Sequence, residues 1–472
     1  MVVFMENSAE AVMAFFGILK AGAAFVIVNP TVKAEKLVFV LNDCAASVIV
    51  GGRPLQPILD ETLRGAVSLR AAFAVGWQAP IDGRFEIPVL ECERVLSSFS
   101  PEAPPRQCID IDLAALIYTS GSTGIPKGVT VSHQNVIAAA TSITQYLENV
   151  PQDVILNVLP LSFDYGLYQA IMSAKTGATL ILEKSFAYPY EMIRRIREER
   201  VTGFPGVPTV FALLLRLKDL DPVDFDSLRY VTNTGAALPE AHIRRMCGLF
   251  RRARIYSMYG VTECKRVSYL PPEEIERRPT SVGRAIPNTE AYVVDEDGHQ
   301  VGPGVVGELV VRGSNVMQGY WNRPEETARV LRPGRYPWER VLFTGDLFRM
   351  DEDGYLYFVA RKDDIIKSRG EKVSPREVEN VILELPDVCE AAVVGEPDPI
   401  LGQAVKAIIV KTDGSALKET DVIAHCTRRL EGFMVPKRVV FTDSLPKTSS
   451  GKISHAALRV TAPRVESARV DQ

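Results

Sequence analysis

The sequence has few features that would place it in a membrane, on nucleic acid or in an oxidising compartment. Its seven cysteines are scattered, without a Cys-x-x-Cys pair, which excludes a disulfide framework and a zinc site of that kind. The formal net charge of -4, from 54 basic and 58 acidic residues, offers no electrostatic footprint for nucleic acid or an anionic membrane. Residues 1–9 contain no basic residue, and the apolar run after them is broken by Glu10 and Lys20, so neither a signal peptide nor a membrane span is indicated. We therefore expect a cytoplasmic protein whose partners are small molecules or a carrier.

The chain, in contrast, has ample material for folded cores. With 472 residues, 46% hydrophobic and 24% charged, the length corresponds to about three domain-sized units. From residue 2 to 258, strand-like runs alternate with helical patterns, apart from an irregular region at 53–108, and this alternation predicts parallel sheets with helical crossovers. Short strands separated by Asp-Gly and Pro-Gly turns at 283–357 predict a small β-barrel or curled sheet. Beyond Arg361 the pattern predicts a compact α+β module.

The most distinctive stretch is residues 118–128, which read Tyr-Thr-Ser-Gly-Ser-Thr-Gly-Ile-Pro-Lys-Gly. It follows the apolar run 113–117, and a helical pattern begins at His133. Its glycines let backbone N–H groups turn inward, its hydroxyls add donors, and Lys127 supplies positive charge. These properties predict a polyphosphate-binding loop, with an ordinary Gly/Ser surface turn as the alternative.

Two other phosphate-binding motifs are excluded by their spacing. A Walker A loop needs Gly-Lys followed by Ser or Thr, whereas here Pro126 precedes Lys127 and Gly128 follows it. The one Gly-x-Gly-x-x-Gly, at 302–307, leads into the alternating pattern of a strand and not into a helix, so it presents no helix N-terminus to a pyrophosphate. We interpret it as a turn.

Residues 119–128 resemble the phosphate-loop signature of the adenylate-forming ligases, which include acyl-CoA synthetases, adenylation enzymes of nonribosomal peptide synthesis and beetle luciferases. Four later signatures of that family follow in the same order, so the resemblance spans nearly the whole chain. They are Tyr259-Gly260-Val261-Thr262-Glu263, Thr344-Gly345-Asp346, Arg361-Lys362-Asp363-Asp364, and Pro446-Lys447 leading to Gly451-Lys452.

The resemblance implies an α/β fold with two unequal domains. The large N-terminal domain, residues 1–362, would contain two stacked flavodoxin-like α/β subdomains and a small β-barrel. A small mobile α+β lid would follow at 363–461, and residues 462–472 would form a polar tail. Related enzymes usually carry a few dozen more residues before the first strand, so the N-terminus is expected to be shorter than usual for the family.

The same resemblance implies ATP-dependent activation of a carboxylate as an acyl-AMP, with Mg²⁺, followed by a thioester with CoA or a phosphopantetheinyl carrier protein. It assigns the nucleotide to the phosphate loop, to a backbone stretch beside the adenine, and to side chains around the adenosine. These nucleotide-binding residues are Thr119, Ser120, Gly121, Ser122, Thr123, Gly124, Lys127, Gly235, Ala236, Ala237, Tyr259, Asp346 and Arg361.

Three residues match the positions that carry the chemistry in the family. Thr262 would meet the α-phosphate, and Glu263 would be the Mg²⁺ ligand, which suits a hard cation held by one carboxylate and substrate phosphates. Lys452 would bridge the substrate carboxylate and the α-phosphate as charge shifts between them. A surface glutamate in a turn and a surface-loop lysine are the alternatives for Glu263 and Lys452.

Lys452 is far along the chain from the phosphate loop, so the C-terminal module must close over the site for adenylation. The resemblance implies that the module then rotates to admit a thiol. Asp363 matches the hinge of that rotation, and Arg369 and Gly370 match the loop that lines the pantetheine tunnel.

The acyl pocket of the family corresponds to the stretch around Phe163. An aspartate after that Phe holds the substrate amino group in amino-acid-activating relatives, whereas Asp164 could instead cap the following helix. Lys265 and Arg266 beside the metal position could pair with Asp164 or with an acidic substrate. The candidate pocket residues are Phe163, Asp164, Tyr168, Pro205, Thr234, Met258 and Arg266.

We therefore expect an acyl-CoA synthetase-like ligase, with a free-standing amino-acid adenylation enzyme loading a peptidyl carrier protein as the alternative. A luciferase-like oxygenase and an inactive nucleotide-binding relative are weaker alternatives. His133 and His455 are interpreted as cap or solvent residues, because adenylation needs no general base.

Overall fold

The N-terminal part of the protein is a five-stranded parallel sheet with helical crossovers. In the computed structural model, the described residues are 1–77, 85–102, 104–120, 126–218, 220–236, 238–368, 371–398, 401–448 and 453–460. The first elements are β1 (Val2–Phe4), α1 (Ala9–Lys20), β2 (Val26–Ile27), α2 (Ala34–Asp43), β3 (Val48–Gly52), α3 (Gln56–Thr62), β4 (Ala71–Val75), β5 (Val89–Glu91) and α4 (Cys92–Ser98). The strand order is β2-β1-β3-β4-β5, and all neighbours are parallel.

Local sequence explains where the first helix begins and ends. The Ser8 side chain caps α1 by accepting a hydrogen bond from the Ala11 N–H, as predicted for a Ser at this position. Gly22, just beyond the helix, has a φ of 72°, which glycine adopts without steric cost. The expectation of an irregular region at 53–108 was wrong, because α3, β4, β5 and α4 lie within it.

The phosphate-loop signature lies on a β-hairpin. Its strands are β6 (Leu113–Ser120) and β7 (Pro126–Ser132), which pair antiparallel with Thr119 opposite Lys127. Helix α5 (His133–Tyr146) begins at the residue predicted from the sequence. The second strand of the hairpin was not predicted, although its buried Val129 and Val131 are separated by the less buried Thr130.

The second sheet has seven strands and carries most of the large hydrophobic core. Its elements are β8 (Val154–Asn157), α6 (Asp164–Thr176), β9 (Thr179–Leu182), α7 (Pro189–Glu198), β10 (Gly203–Gly206), α8 (Pro208–Leu215), β11 (Tyr230–Asn233), α9 (Glu240–Leu249), β12 (Arg254–Tyr259), β13 (Ser268–Tyr269) and β14 (Arg284–Ala285). Strands β8 to β12 are parallel, whereas β13 and β14 add antiparallel pairs at one edge. The carboxyl ends of β10, β11 and β12 therefore meet at one edge, which is where ligands bind in open α/β sheets.

A mostly antiparallel region follows, as the turn-rich sequence predicted. It contains β15 (Thr289–Val294), β16 (Gly307–Gly313), β17 (Gly319–Tyr320), α10 (Pro324–Val330), β18 (Leu331–Pro333), β19 (Arg340–Met350) and β20 (Leu356–Arg361). The long strand β19 pairs with β16, β18 and β20, whereas β17 pairs with β7 of the hairpin. The Gly-x-Gly-x-x-Gly stretch forms a turn, with Gly304 at a φ of 81°, that leads into β16, so its interpretation as a turn is confirmed.

The C-terminal part has a sheet and a hydrophobic core of its own. Its elements are β21 (Ile366–Ser368), β22 (Glu371–Val373), α11 (Pro375–Ile382), β23 (Val388–Asp398), β24 (Gly402–Lys411), α12 (Glu419–Arg429), β25 (Arg438–Phe441) and α13 (His455–Val460). The predicted fold class, a large α/β part followed by a small α+β part, is confirmed. The boundary at 362/363 lies between β20 and β21, which belong to different sheets, and as a domain boundary it stays a prediction. Among the described residues, no helix is long and apolar enough to cross a membrane.

Asn135 connects the hairpin to the segment that precedes β17. Its backbone N–H bonds the Ser132 hydroxyl and its side-chain oxygen accepts from the Ser132 N–H, which completes a capping box on α5. Its side-chain Nδ2 donates to the carbonyl oxygens of Ser314 and Val316, at 2.8 and 2.9 Å. One buried amide therefore satisfies a helix terminus and two distant carbonyl groups.

We expect Asn135→Ala to lower the stability of the N-terminal part by about 2–3 kcal/mol, because the Ser132 N–H loses its acceptor in the capping box and two carbonyl groups lose their donor. The midpoint of urea unfolding measures the effect. Asn42→Ala is the matched control, since the exposed Asn42 side chain accepts one exposed hydrogen bond from the Val67 N–H. Equal midpoints for the two variants would contradict the role assigned to Asn135.

Candidate active site

A tight turn after β12 brings four polar side chains to the carboxyl edge of the second sheet. Gly260 makes the turn possible, because a Cβ at this position would lie 2.1 Å from the Lys265 carbonyl oxygen. Lys265 has a φ of 66°, a left-handed conformation that non-glycine residues rarely adopt. Such strain persists only where the surroundings hold it in place, and it is common at functional sites. The turn carries Thr262, Glu263, Lys265 and Arg266.

Asn315 holds this turn from the outside. Its Nδ2 donates to the carbonyl oxygens of Cys264 and Arg266, at 2.8 and 2.9 Å, and its Oδ1 accepts from the Thr289 hydroxyl. Asn315 is 4% exposed, so these carbonyl groups have no access to water as a substitute partner. Asn315 is not among the residues predicted from the sequence, where its only local signal is its place in a Gly-Ser-Asn turn after β16.

Glu263 and the lysine of the phosphate hairpin both lie close to Tyr320. The Tyr320 hydroxyl donates a 2.7 Å hydrogen bond to Glu263 Oε1, and Lys127 Nζ lies 5.4 Å from the centre of the Tyr320 ring. Burial and the Glu263 charge raise the pKa of Tyr320, so its hydroxyl stays protonated and acts as a donor. The structure thus joins the predicted metal ligand and the predicted phosphate-binding lysine through one tyrosine that the sequence analysis missed.

Tyr259, Asp346 and Arg361 also come together, although they lie far apart in sequence. The Tyr259 hydroxyl donates a 2.5 Å hydrogen bond to Asp346 Oδ2, and Arg361 Nε lies 3.6 Å from Asp346 Oδ1. Asp346 and Arg361 are opposite each other in the β19–β20 pair. Burial and the neighbouring Asp346 raise the pKa of Tyr259 well above its ordinary value. Asp346 is 4% exposed, whereas the Arg361 side chain is 63% exposed and is accessible to a ligand.

A cavity of about 30 Å³ lies between this turn and α6. Five of the seven candidate pocket residues line it, together with two residues assigned to the nucleotide site. These lining residues are Phe163, Asp164, Tyr168, Thr234, Arg266, Gly235 and Thr262. Four further lining residues were not selected from the sequence as pocket residues: Ile143, Tyr165, Gly260 and Lys265.

The remaining two pocket candidates are buried close by. Pro205 lies on β10, and Met258 lies on β12, where its sulfur accepts a hydrogen bond from the Tyr146 hydroxyl. Neither residue is among those that line the cavity in the described structure.

A buried ion pair closes one side of the cavity. Lys265 Nζ lies 3.5 Å from Asp164 Oδ2, with 4% and 11% of the side chains exposed. Burial lowers the pKa of Lys265, and the attraction of Asp164 opposes that shift. Asp164 is the first residue of α6 but makes no cap hydrogen bond, so the helix-cap interpretation is wrong and the pairing with Lys265 is confirmed.

Several residues assigned from the sequence lie outside the described residues: Gly121, Ser122, Thr123, Gly124, Ala237, Arg369, Gly370 and Lys452. The polar tail at 462–472 also lies outside them. Ser120 is the last residue of β6, and Ala236 is exposed next to Gly235, whose φ is 90°.

Neither His133 nor His455 is among the described residues that line the cavity. His133 is the first residue of α5 and follows the cap residue Ser132. His455 begins α13, and its Nε2 lies 3.9 Å from Glu379 Oε1 within the C-terminal part. The interpretation of these two histidines as cap or solvent residues stays a prediction.

The fold and the matches to known proteins define an adenylate-forming ligase. The chain belongs to the AMP-binding enzyme family, whose sequence profile matches residues 1–321, and the profile of the AMP-binding enzyme C-terminal domain matches residues 377–452. The chain is therefore an ATP-dependent, AMP-forming ligase of the acyl-CoA synthetase type, acting on small-molecule acids.

Among known relatives, the chain is 33% identical to the long-chain-fatty-acid–CoA ligase of Escherichia coli O157:H7, over 96% of this chain and 84% of that protein. Its structure is similar to that of ATP-bound MatB from Rhodopseudomonas palustris, with a TM-score of 0.86, 28% identity, and coverage of 98% of this chain and 88% of the other. The anthranilate CoA ligase AuaEII in complex with anthranoyl-AMP matches with a TM-score of 0.87, 28% identity, and coverage of 98% and 87%.

We expect Gly260→Ala to disrupt the turn, because the added Cβ meets a backbone carbonyl that cannot move independently of Arg266. Acyl-AMP formation should fall by about 100-fold or more, since misplacing site groups by about 1 Å has effects of that order. Gly248→Ala on α9 is the matched control: nothing lies within 4 Å of its added Cβ, and alanine favours a helix. Unchanged activity of Gly260→Ala in a pyrophosphate-release assay would show that the turn geometry is dispensable.

Proposed function

We propose that the protein joins a compact carboxylic acid to CoA, with ATP and Mg²⁺, and that the residues assembled at the carboxyl edge of β10 to β12 carry the reaction. The observation that supports this proposal is the cavity lined by Thr262, because a substrate bound in it would lie between the end of the sheet and the proposed α-phosphate position. The cavity is small and has buried charged walls, which favours a short polar acid over a long alkyl chain.

The nucleotide would lie along the edge formed by the hairpin, the turn and β19. Lys127, whose Nζ lies 5.4 Å from the centre of the Tyr320 ring, would offset the charge of the triphosphate. Gly235 and Ala236 would lie beside the adenine, and the Tyr259 ring would stack on it. Asp346 would accept the hydrogen bonds of the ribose hydroxyls, with the exposed Arg361 beside it.

Glu263 fits the requirements of a magnesium ligand. It is partly buried, and Tyr320 occupies Oε1, whereas Oε2 has no hydrogen-bond partner among the described residues. Mg²⁺ prefers one or two carboxylates together with substrate phosphates. The ion would neutralise phosphate charge, and Glu263 would hold it on the side of the cavity that Thr262 occupies.

The lid carries the proposed catalytic lysine. Lys452 would donate to both the substrate carboxylate and the α-phosphate, which reduces the repulsion between two anions that must react. Asp363 lies between β20 and β21, which belong to different sheets, and this position suits a hinge. After adenylation the lid would rotate so that Arg369 and Gly370 line the path of the thiol.

The amino-acid alternative is less well supported. Asp164, the residue that would bind a substrate amino group, is already paired with Lys265 inside the cavity. A substrate ammonium would have to displace that lysine from a buried carboxylate, which costs free energy. We therefore propose CoA as the first acceptor to test, with a phosphopantetheinyl carrier protein as the second.

The direct test incubates the purified protein with ATP, Mg²⁺, CoA and a panel of fatty, aromatic, short polar and amino acids. Mass spectrometry should detect an acyl-adenylate and its CoA thioester for short polar acids. Thioester formation only on a carrier protein, light emission, or nucleotide binding without turnover would each contradict this proposal and favour one of the alternatives.

We expect Lys452→Ala to retain ATP binding and to lose adenylate formation by about 10²–10³-fold, because one preorganised donor to the developing charge is removed. Pyrophosphate release measures the rate, and calorimetry measures ATP affinity. The exposed Lys418→Ala, also in the C-terminal part, is the control and should behave as the wild type. Undiminished adenylation by Lys452→Ala would remove the assignment.

We expect Glu263→Gln to need a higher Mg²⁺ concentration for half-maximal rate, because the amide can still accept from Tyr320 but carries no charge for the cation. The exposed Glu325→Gln is the matched control. A magnesium titration of pyrophosphate release compares the two variants. Coinciding titration curves for wild type and Glu263→Gln would contradict the role of Glu263.

A further inference from the structure

The cavity contains a buried arginine whose charge has no counter-ion among the described residues. Arg266 is 4% exposed, and no residue of the described part of the chain forms a hydrogen bond with its buried Nε and Nη1. A guanidinium in this state is costly, because buried charges are normally paired and their N–H groups normally bonded. Such a group is expected to have a partner that the chain itself does not supply.

The neighbouring carboxylate is not available to Arg266. Asp164 is paired with Lys265, and Glu263 Oε1 accepts the hydrogen bond of the Tyr320 hydroxyl. The contact described for the guanidinium is with the ring of Tyr165, whose centre lies 5.3 Å from the Arg266 Cζ. A ring face attracts a cation but cannot accept hydrogen bonds as a carboxylate does.

The arginine side chain has no evident structural task. The contacts that hold this part of the turn are made by its backbone, since Asn315 bonds the Arg266 carbonyl oxygen. The Tyr168 hydroxyl in the cavity wall is a second donor, and it is buried without a hydrogen-bond partner within the described ranges of the chain. Burial raises the pKa of Tyr168, so this hydroxyl remains protonated and able to donate.

We propose that the substrate is a short dicarboxylic acid, whose second carboxylate binds Arg266 and the Tyr168 hydroxyl while the first reacts with ATP. This inference rests on the proposed ligase function and adds the substrate class. Arg266 is a specificity-determining residue in this scheme, because it contacts the non-reacting end of the acid. Sites built to bond a polar substrate group strongly reject analogues that lack it, because the buried donors are then left unpaired.

The experiment compares acids of equal carbon number: succinate with butyrate, glutarate with pentanoate, and adipate with hexanoate, each with ATP, Mg²⁺ and CoA. Wild-type enzyme should form the CoA thioester of at least one dicarboxylate with a kcat/KM about 100-fold or more above that of its monocarboxylate. The monomethyl ester of that dicarboxylate should be as poor a substrate as the monocarboxylate, because it keeps the length and loses the charge.

Arg266→Leu should lower kcat/KM for the preferred dicarboxylate by about 100-fold or more and leave or raise that for the monocarboxylate. Arg266→Lys should restore part of the dicarboxylate activity, since it returns a charge without the planar donor set. The exposed Arg244→Leu on α9 is the control and should keep the wild-type preference. Without substrate, the melting temperature of Arg266→Leu should equal or exceed that of the wild type, because an unpaired buried charge has been removed.

Three results would overturn the inference while the ligase function stands. The first is equal use of monocarboxylates and dicarboxylates by the wild type, and the second is a preference for acids that carry a sulfonate or phosphonate group. The third is an equal loss of kcat/KM for all substrates in Arg266→Leu, together with a lower melting temperature. The third would assign Arg266 a structural role. Absence of any acyl-adenylate in the wider acid panel would instead refute the proposed function on which the inference rests.

Discussion

The side-chain amide of Asn315 is the constraint on which the candidate site depends. By bonding the carbonyl oxygens of Cys264 and Arg266, it fixes a turn that contains a left-handed lysine and follows a glycine with no room for a side chain. The segment that carries Asn315 is held in turn by Asn135 at the start of α5. The side-chain amides of Asn135 and Asn315 therefore connect the phosphate hairpin to the turn that carries the charged residues of the cavity wall.

Elements with strong periodicity could be predicted from the sequence. Helix α5 begins at His133, where the sequence predicted its start, because its apolar residues recur at the period of a helix. Strand β4 reads Ala-Ala-Phe-Ala-Val, in which three alanines carry little strand preference, and β5 has three residues, so neither gave a signal. Strand β7 begins Pro-Lys-Gly, a turn-like composition, and it forms a strand because β6 and β17 pair with it.

Candidate site residues could be selected from the sequence where a family motif contains them, but contacts between distant residues could not. The motifs contain Tyr259, Glu263 and Asp346. The Tyr320–Glu263 hydrogen bond spans 57 residues and the Lys265–Asp164 pair spans 101, so no local sequence pattern could have indicated either contact. The Lys265–Asp164 pair was expected only from the opposite charges of the two side chains. The sequence also could not show that Arg266 Nε and Nη1 have no hydrogen-bond partner among the described residues, because this depends on the acceptors that neighbouring elements present in three dimensions.

The position of Tyr320 couples the binding of the cation to the binding of the nucleotide. Its hydroxyl touches the carboxylate proposed for the cation, and its ring lies against the ammonium proposed for the triphosphate. Occupancy of one location therefore changes the free energy of filling the other, and linkage requires the two effects to be equal in size. The cation is thus expected to change the dissociation constant of the nucleotide, and the nucleotide to change that of the cation by the same factor.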